Sequence, residues 1–240
     1  NILITGASSG LGKEIFNELK KNKRNFFFLI NRKTKIKGKN VKNYNVNLSN
    51  HKLLKDKIKK VMTDSKKKID LIICNAAQGV FGYVDEIKIN EFKNDMDVNF
   101  YSHLLIIKSF LPFMKKNRYG HIINISSGAG IIGLKKSSSY SVSKSCMQIL
   151  IESIHHELVK YNIFAKNIFP GPTRTNFTQK NKYIKHKVNM TGANVTKISK
   201  IIIKKLYKKK NKYILSKKNI WCFFNKNFPS FKLRLIRKLF

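Results

Sequence analysis

The amino-acid sequence predicts a doubly wound, parallel α/β sheet of about seven strands with helices on both faces. Three observations carry that expectation. Short apolar runs alternate with longer stretches of helical apolar spacing, and such alternation implies right-handed crossovers and a parallel sheet. Most of the short runs are continuously apolar rather than alternating, as strands covered on both faces must be. The chain has 240 residues and 42% hydrophobic content, enough for one well-buried core. It shows neither repeat nor linker, so residues 1–240 are expected to form one domain.

Each element follows in order. The run Ile2-Leu3-Ile4 opens a strand over 2–5. It enters the turn T-G-A-S-S-G-L-G, Thr5 to Gly12, and then a helix over about 11–22 with Ile15, Phe16 and Leu19 on one face. Strands over 26–30 and 41–46 come next. A helix over about 50–66 leads to a strand over 71–74, and a long helix over 88–116 to a strand over 121–126. A helix over 139–161, a strand over 164–169, a helix over 195–209 and a strand over 212–215 complete the alternation. Two segments break the rhythm. Residues 173–192 are polar and weakly periodic, as a mobile lid over a pocket would be. Residues 217–240 are aromatic and basic.

Composition excludes several classes. The longest strand-like apolar run, 26–30, is far short of a membrane span. The chain opens without an initiator methionine, which points to a trimmed start, and shows no signal-peptide pattern. Cys74, Cys146 and Cys222 form no C-x-x-C pair and suit a reducing compartment, so a cytoplasmic location is expected. His156-Glu157 begins like H-E-x-x-H, but Lys160 stands where the second histidine belongs, and no metal site is expected. The net charge of +38 comes overwhelmingly from lysines spread along the whole chain. That spread resembles compositional drift, not a recognition patch. Weak, salt-sensitive attraction to polyanions or anionic lipid is expected; specific nucleic-acid binding is not, because no base-reading element appears.

The turn after the first strand is the leading chemical feature. A strand, a glycine-rich turn and a helix start present backbone N–H groups to a phosphate. A phosphate loop of the form G-x-x-x-x-G-K-[ST] fails twice: Ala7 stands where its first glycine belongs, and Glu14 follows Lys13. The strict G-x-G-x-x-G also fails. What stands is T-G-x-x-x-G-x-G, with Thr5, Gly6, Gly10 and Gly12.

Further landmarks follow in order. Asn75-Ala76-Ala77 ends the fourth strand. Asp97-Val98-Asn99 lies in the long helix, Ser126-Ser127-Gly128 ends the fifth strand, and Tyr140 and Lys144 form a Y-x-x-x-K. Pro170-Gly171 follows the sixth strand, with Thr173 and Thr175 beyond it. Alone, a Tyr–Lys pair four apart is an ordinary exposed helix pair, and the serine run an ordinary turn. As an ordered set over residues 5 to 175, with the glycine turn, they resemble the short-chain dehydrogenase/reductase family. The chain departs from that pattern at Ala77, where the family has glycine, and at Asn47, where it often has Asp.

The resemblance implies a Rossmann-type sheet and an oxidoreductase acting on a small carbonyl or alcohol. Asn99, Ser127, Tyr140 and Lys144 are the implied catalytic set, with Ser126 the neighbouring alternative to Ser127. Tyr140 and Lys144, four apart on a helix, share a face. A phenol titrates at about 10, and bringing it near neutrality takes roughly 4 kcal/mol of differential stabilisation. Lys144 is expected to supply part of that and the positive nicotinamide of an oxidised cofactor more, so that Tyr140 acts as general acid in carbonyl reduction and general base in alcohol oxidation. Asn99 is implied to hold a helix distortion and a water. The implied cofactor contacts are Thr5, Gly6, Ser8, Ser9, Gly10, Leu11 and Gly12 in the turn, Asn47 and Leu48 after the third strand, and Asn75, Ala76 and Ala77 after the fourth. Tyr140, Lys144, Pro170, Gly171, Thr173 and Thr175 complete them.

Arg32 decides the cofactor. The second strand ends Leu29-Ile30-Asn31-Arg32-Lys33, with no carboxylate for ribose hydroxyls and a base suited to a 2′-phosphate. NADPH is therefore expected over NADH, and reduction over oxidation. A catalytically weak NADP-binding sensor or scaffold is the alternative, disfavoured because all four catalytic residues are present. The family also implies a homo-oligomer, dimer or tetramer. In the tail, Phe231, Leu233, Leu235, Ile236, Leu239 and Phe240 fall on one broad helical face, with Arg234, Arg237 and Lys238 opposite and Lys232 the exception. That pattern fits a peripheral membrane contact through 217–240, or else a lid or subunit interface.

Overall fold

The computed structural model describes residues 1–33, 35–173, 192–216 and 219–220. Most of the lid and of the tail, with Thr175 and Cys222, lie outside these described residues.

Seven strands form a single all-parallel sheet: β1 (Ile2–Thr5), β2 (Phe27–Asn31), β3 (Val41–Asn45), β4 (Leu71–Cys74), β5 (Gly120–Ile125), β6 (Ile163–Phe169) and β7 (Lys212–Ile214). Their spatial order is β3-β2-β1-β4-β5-β6-β7. The doubly wound sheet expected from the sequence is therefore the observed architecture. The chain runs outward from β1 to β3, crosses back, and continues outward from β4 to β7. The reversal lies between β1 and β4, which pair as Ile2 with Leu71, Leu3 with Ile72 and Ile4 with Ile73.

Alternation along each strand feeds two cores. Ile2, Ile4, Phe27, Leu29, Leu71, Ile73, Ile123 and Ile168 pack under α1 (Gly10–Lys20) and α6 (Val195–Ile203). Leu3, Phe28, Ile30, Ile72, Cys74 and Ile122 pack under α2 (His51–Asp64), α4 (Ser102–Asn117) and α5 (Ser138–Leu158). With both faces covered, nearly every strand position is apolar, which is why these strands read as continuous runs.

Three of the differences from the sequence reading have a physical reason in the structure. The long helix expected over 88–116 is three pieces: α3 (Ile89–Met96), a π turn (Asp97–Tyr101) and α4. The Ser102 N–H reaches back to the Asp97 carbonyl, one residue further than an α-helix would. The helix expected to reach 209 ends at Ile203. Tighter bonds from Lys205 to Ile202 and from Leu206 to Ile203 close it, and the wholly buried Lys166 of β6 takes over the carbonyls beyond. Its Nζ donates to the Leu206 carbonyl at 2.7 Å and to that of Lys208. Finally, β2 includes Asn31, whose buried amide oxygen accepts from the Ala7 N–H at 2.9 Å and so fixes the turn after β1.

Candidate active site

In an open parallel sheet a crevice opens beyond the carboxyl ends of the strands where the winding reverses. Here that point lies between β1 and β4, and the residues singled out from the sequence sit around it.

The glycine turn is built on a hub, Thr5. Its buried hydroxyl accepts from the N–H groups of Asn75 and Ala76, each at 3.0 Å, and lies 3.0 Å from His103 Nε2. His103 Nδ1 is 3.2 Å from the Asn99 carbonyl, which can only accept, so the proton sits on Nδ1. Burial, assisted by the positive Lys144, pushes this imidazole down to about 4, so the ring is neutral. Nε2 is then an acceptor, and the Thr5 hydroxyl donates to it. Thr5 is thereby fully engaged within the protein, and its side chain shapes the turn. Asn75 completes the frame, its Nδ2 donating to the Thr5 and Gly6 carbonyls at 3.1 and 3.0 Å.

Two glycines are required by this frame. Gly6 has φ +70°, in the left-handed region. A Cβ at Gly12 would overlap the Gly6 carbonyl and the Asn75 amide. The turn therefore closes directly onto the N-terminus of α1. Ser9 caps that end with extended backbone and no side-chain bond, and no acidic residue lies in the first turn. The leading N–H groups, around Ser8, Ser9, Gly10 and Leu11, are left to face an anion.

The other expected cofactor positions line the same edge. Arg32 is exposed just past β2, Asn47 is exposed past β3, and Ala76 and Ala77 are half-buried past β4. Leu48 is buried, so only its backbone is available. Pro170 is buried, Gly171 has φ +83° with Ser216 packed against it, and Thr173 bridges to Ala193. The open N–H groups at the α1 N-terminus fit a dinucleotide phosphate.

The catalytic candidates converge from three elements. Ser127 follows β5, accepts from the Ala129 N–H at 3.2 Å, and hydrogen-bonds the Tyr140 hydroxyl. Ser126 is buried with its hydroxyl unpartnered among the described residues, so Ser127 is the serine that meets Tyr140. One turn along α5 from Tyr140, the buried Lys144 donates to the Ile125 carbonyl at 3.0 Å and places its ammonium 5.8 Å from the tyrosine ring centroid. Asn99 sits in the π turn. Its Oδ1 accepts from the Gln78 N–H at 2.9 Å, and its Nδ2 donates to the Gln78 carbonyl at 2.7 Å and to Ser143 Oγ at 2.9 Å. Ser143 in turn donates to the Tyr140 carbonyl at 2.9 Å.

The protein's own electrostatics act on both Tyr140 and Lys144. Burial pushes the Tyr140 phenol up to about 12; the Ser127 hydrogen bond opposes this and the negative Asp95 adds to it. The protein's own groups thus hold Tyr140 protonated instead of bringing it toward neutrality. Burial also pushes Lys144 down to about 8, because an ammonium there has lost its water.

Four residues at the site were not singled out from the sequence. His103 joins the turn to the π helix. Asp95, Gln78 and Phe81 surround Tyr140 from the side of the loop after β4. Their partners are mostly distant in the chain, so no local spacing marks them.

An all-parallel sheet with a glycine turn at its switch point, and a Ser–Tyr–Lys cluster across the same edge, is the arrangement of a dinucleotide-binding fold. The model of the short chain dehydrogenase family matches residues 1–185, and the chain belongs to that family. It is 31% identical over 177 residues to 3-ketodihydrosphingosine reductase of Bacteroides thetaiotaomicron, covering 74% of this chain and 65% of that protein. It is 34% identical over 112 residues to bovine (Bos taurus) retinol dehydrogenase 8, covering 47% of this chain and 36% of that one. The chain thus spans less than two thirds of these curated relatives. Among solved structures, a short-chain dehydrogenase from Burkholderia cenocepacia in complex with NADP superposes with TM-score 0.82 at 22% identity, over 98% of this chain and 95% of that one. One from Streptomyces avermitilis superposes with TM-score 0.83 at 19% identity, over 99% and 95%. At these identities the structures bear on the fold.

Proposed function

We propose that this protein reduces a ketone or aldehyde to an alcohol with NADPH, with Tyr140 as proton donor. The observation that carries the reading is the meeting of Ser127, Tyr140 and Lys144 at the switch-point edge, beside a glycine turn that leads into the N-terminus of α1. Bound NADPH would supply the hydride to the carbonyl carbon. Ser127 and Tyr140 hydrogen-bond the carbonyl oxygen, and the Tyr140 proton passes to it as negative charge develops there. Ser127 and the Lys144 ammonium stabilise the phenolate that remains. Burial pushes the Tyr140 phenol up to about 12, so the hydroxyl carries its proton at neutral pH, as a proton donor in reduction must. Arg32, with no carboxylate beside it at the end of β2, supports NADPH over NADH. So do neighbouring structures that contain NADP or NADPH.

Assembly as a dimer or tetramer is part of the proposal. Val142 and Ile149, two turns apart on α5, are both exposed and form an apolar strip. Contact of the tail with a membrane surface stays an expectation from its sequence. Among the described residues, no helix is long and apolar enough to cross a membrane.

The test follows NADPH oxidation against a panel of ketones and aldehydes. 3-Ketodihydrosphingosine and the aldehyde formed by oxidising retinol come first, since relatives are named for 3-ketodihydrosphingosine and retinol. NADPH binding without oxidation by any carbonyl compound would favour the sensor or scaffold reading instead.

A further inference from the structure

Asp95 stands in α3, four residues before Asn99, and is wholly buried. Its carboxylate accepts from the Val80 N–H at 2.9 Å, from Gln78 Nε2 at 3.2 Å and from the Ser139 hydroxyl. Gln78 and Val80 belong to the loop after β4. Ser139 precedes Tyr140 in the first turn of α5. The same loop covers the tyrosine: the Phe81 ring lies 5.4 Å from that of Tyr140, centroid to centroid. At Gly79 a Cβ would come within 2.9 Å of a Tyr140 ring carbon. The loop is therefore pressed onto Tyr140 and pinned twice, by Asn99 through the Gln78 backbone and by Asp95.

A buried carboxylate is costly, and an apolar side chain would fill the volume without that cost. What an apolar residue would not do is partner the Val80 N–H, the Gln78 amide and the Ser139 hydroxyl together. We infer that Asp95 is a positioning residue for Tyr140: one carboxylate ties the loop that walls the tyrosine ring to the helical turn that carries it. The inference rests on the reading of Tyr140 as proton donor. The charge also acts through space, since a carboxylate beside a phenol disfavours phenolate. The titratable groups around the pair are Glu91 on α3, and Tyr140 and Lys144 on α5. Three donors favour an ionised Asp95, while burial and Glu91 push its carboxyl up.

The test uses the full chain with Asp95→Asn and Asp95→Leu. Ser139→Ala and Gln78→Leu, each removing one donor, serve if either variant fails to fold. NADPH affinity is read by fluorescence, and kcat, KM and the pH profile with any carbonyl compound the wild type reduces. Tyr140 is titrated separately by NMR of 13C-labelled tyrosine, assigned with Tyr140→Phe. In Asp95→Asn we expect NADPH affinity to hold within about twofold while kcat falls about tenfold. The alkaline limb and the Tyr140 titration should both move to lower pH. A folded Asp95→Asn with unchanged kcat and an unchanged Tyr140 titration overturns the inference. If the wild type reduces no carbonyl compound, the functional reading fails on its own. The NMR titration then still decides whether Asp95 acts on Tyr140.

Discussion

Thr5 and His103 stand 98 residues apart in the chain and 3.0 Å apart in the structure, and the hydrogen bond between them runs from the threonine to the ring. Through the Asn99 carbonyl on the other ring nitrogen, that bond joins the glycine turn to the π turn beneath Tyr140. Thr5→Val should therefore reach both. It leaves two backbone N–H groups and a ring nitrogen without their partner, and is expected to cost about 2–3 kcal/mol of stability. Thr5→Ser should recover most of it. Urea unfolding of the two variants checks this, and equal stability of Thr5→Val and wild type would contradict it.

Tyr140→Phe should lower turnover roughly 10²–10⁴-fold while leaving NADPH affinity and the unfolding midpoint near wild type. The ring still packs on Phe81 and only the hydroxyl is lost. Steady-state kinetics beside a cofactor titration separate the two effects. A variant keeping most of its kcat would remove Tyr140 from the mechanism.

Arg32→Ala should weaken NADPH binding by about 1.5–3 kcal/mol and NADH binding much less, since a charge-assisted phosphate contact has that magnitude. Arg32 is exposed, so the fold should be indifferent to the change. Dissociation constants for both cofactors give the answer, and equal losses would show that Arg32 does not read the 2′-phosphate.

Stability should depend on pH in three windows. His103 and His121 are pushed down from 6.5 to about 4 by burial, so the unfolded chain binds more protons between those values. Stability is expected to fall as pH drops below about 6.5. Lys144 and Lys166 are pushed down from 10.5 to about 8, again by burial, so stability should rise with pH from about 8. Tyr140 and Tyr44 are both pushed up by burial, so their folded forms hold protons that the unfolded chain releases. The rise should therefore turn to a fall above about 10. Unfolding free energies across pH test the sequence of signs. Lys166→Met should flatten the rise, and a wild-type decline through pH 8–10 would contradict the lysine assignment.

Much of this architecture could be read from the chain because the sheet is covered on both sides. Runs such as Leu71–Cys74 carry no polar interruption, and the switch point follows once the glycine turn marks β1. Periodicity failed where the cause lay elsewhere in the chain. The π turn at Asp97–Tyr101 adds one residue to a turn, which leaves an apolar pattern nearly intact. The early end of α6 is set by Lys166, forty residues before the carbonyls it captures. Asp95 was not singled out from the sequence, because its partner Ser139 lies 44 residues on. The net raising of Tyr140 by burial was not legible for a different reason: spacing shows which groups are neighbours, but not how much water each has lost.

The sheet order has a consequence for how the chain is made. β1 is central, yet it leaves the ribosome before either neighbour exists. One edge waits for Phe27–Asn31, and the other for Leu71–Cys74. During that interval Ile2–Thr5 is an apolar segment with an open row of backbone donors and acceptors, the condition under which nascent strands find wrong partners. Productive synthesis of this protein should therefore be sensitive to translation speed over the stretch between β2 and β4, and to the holdase chaperones that shield such edges.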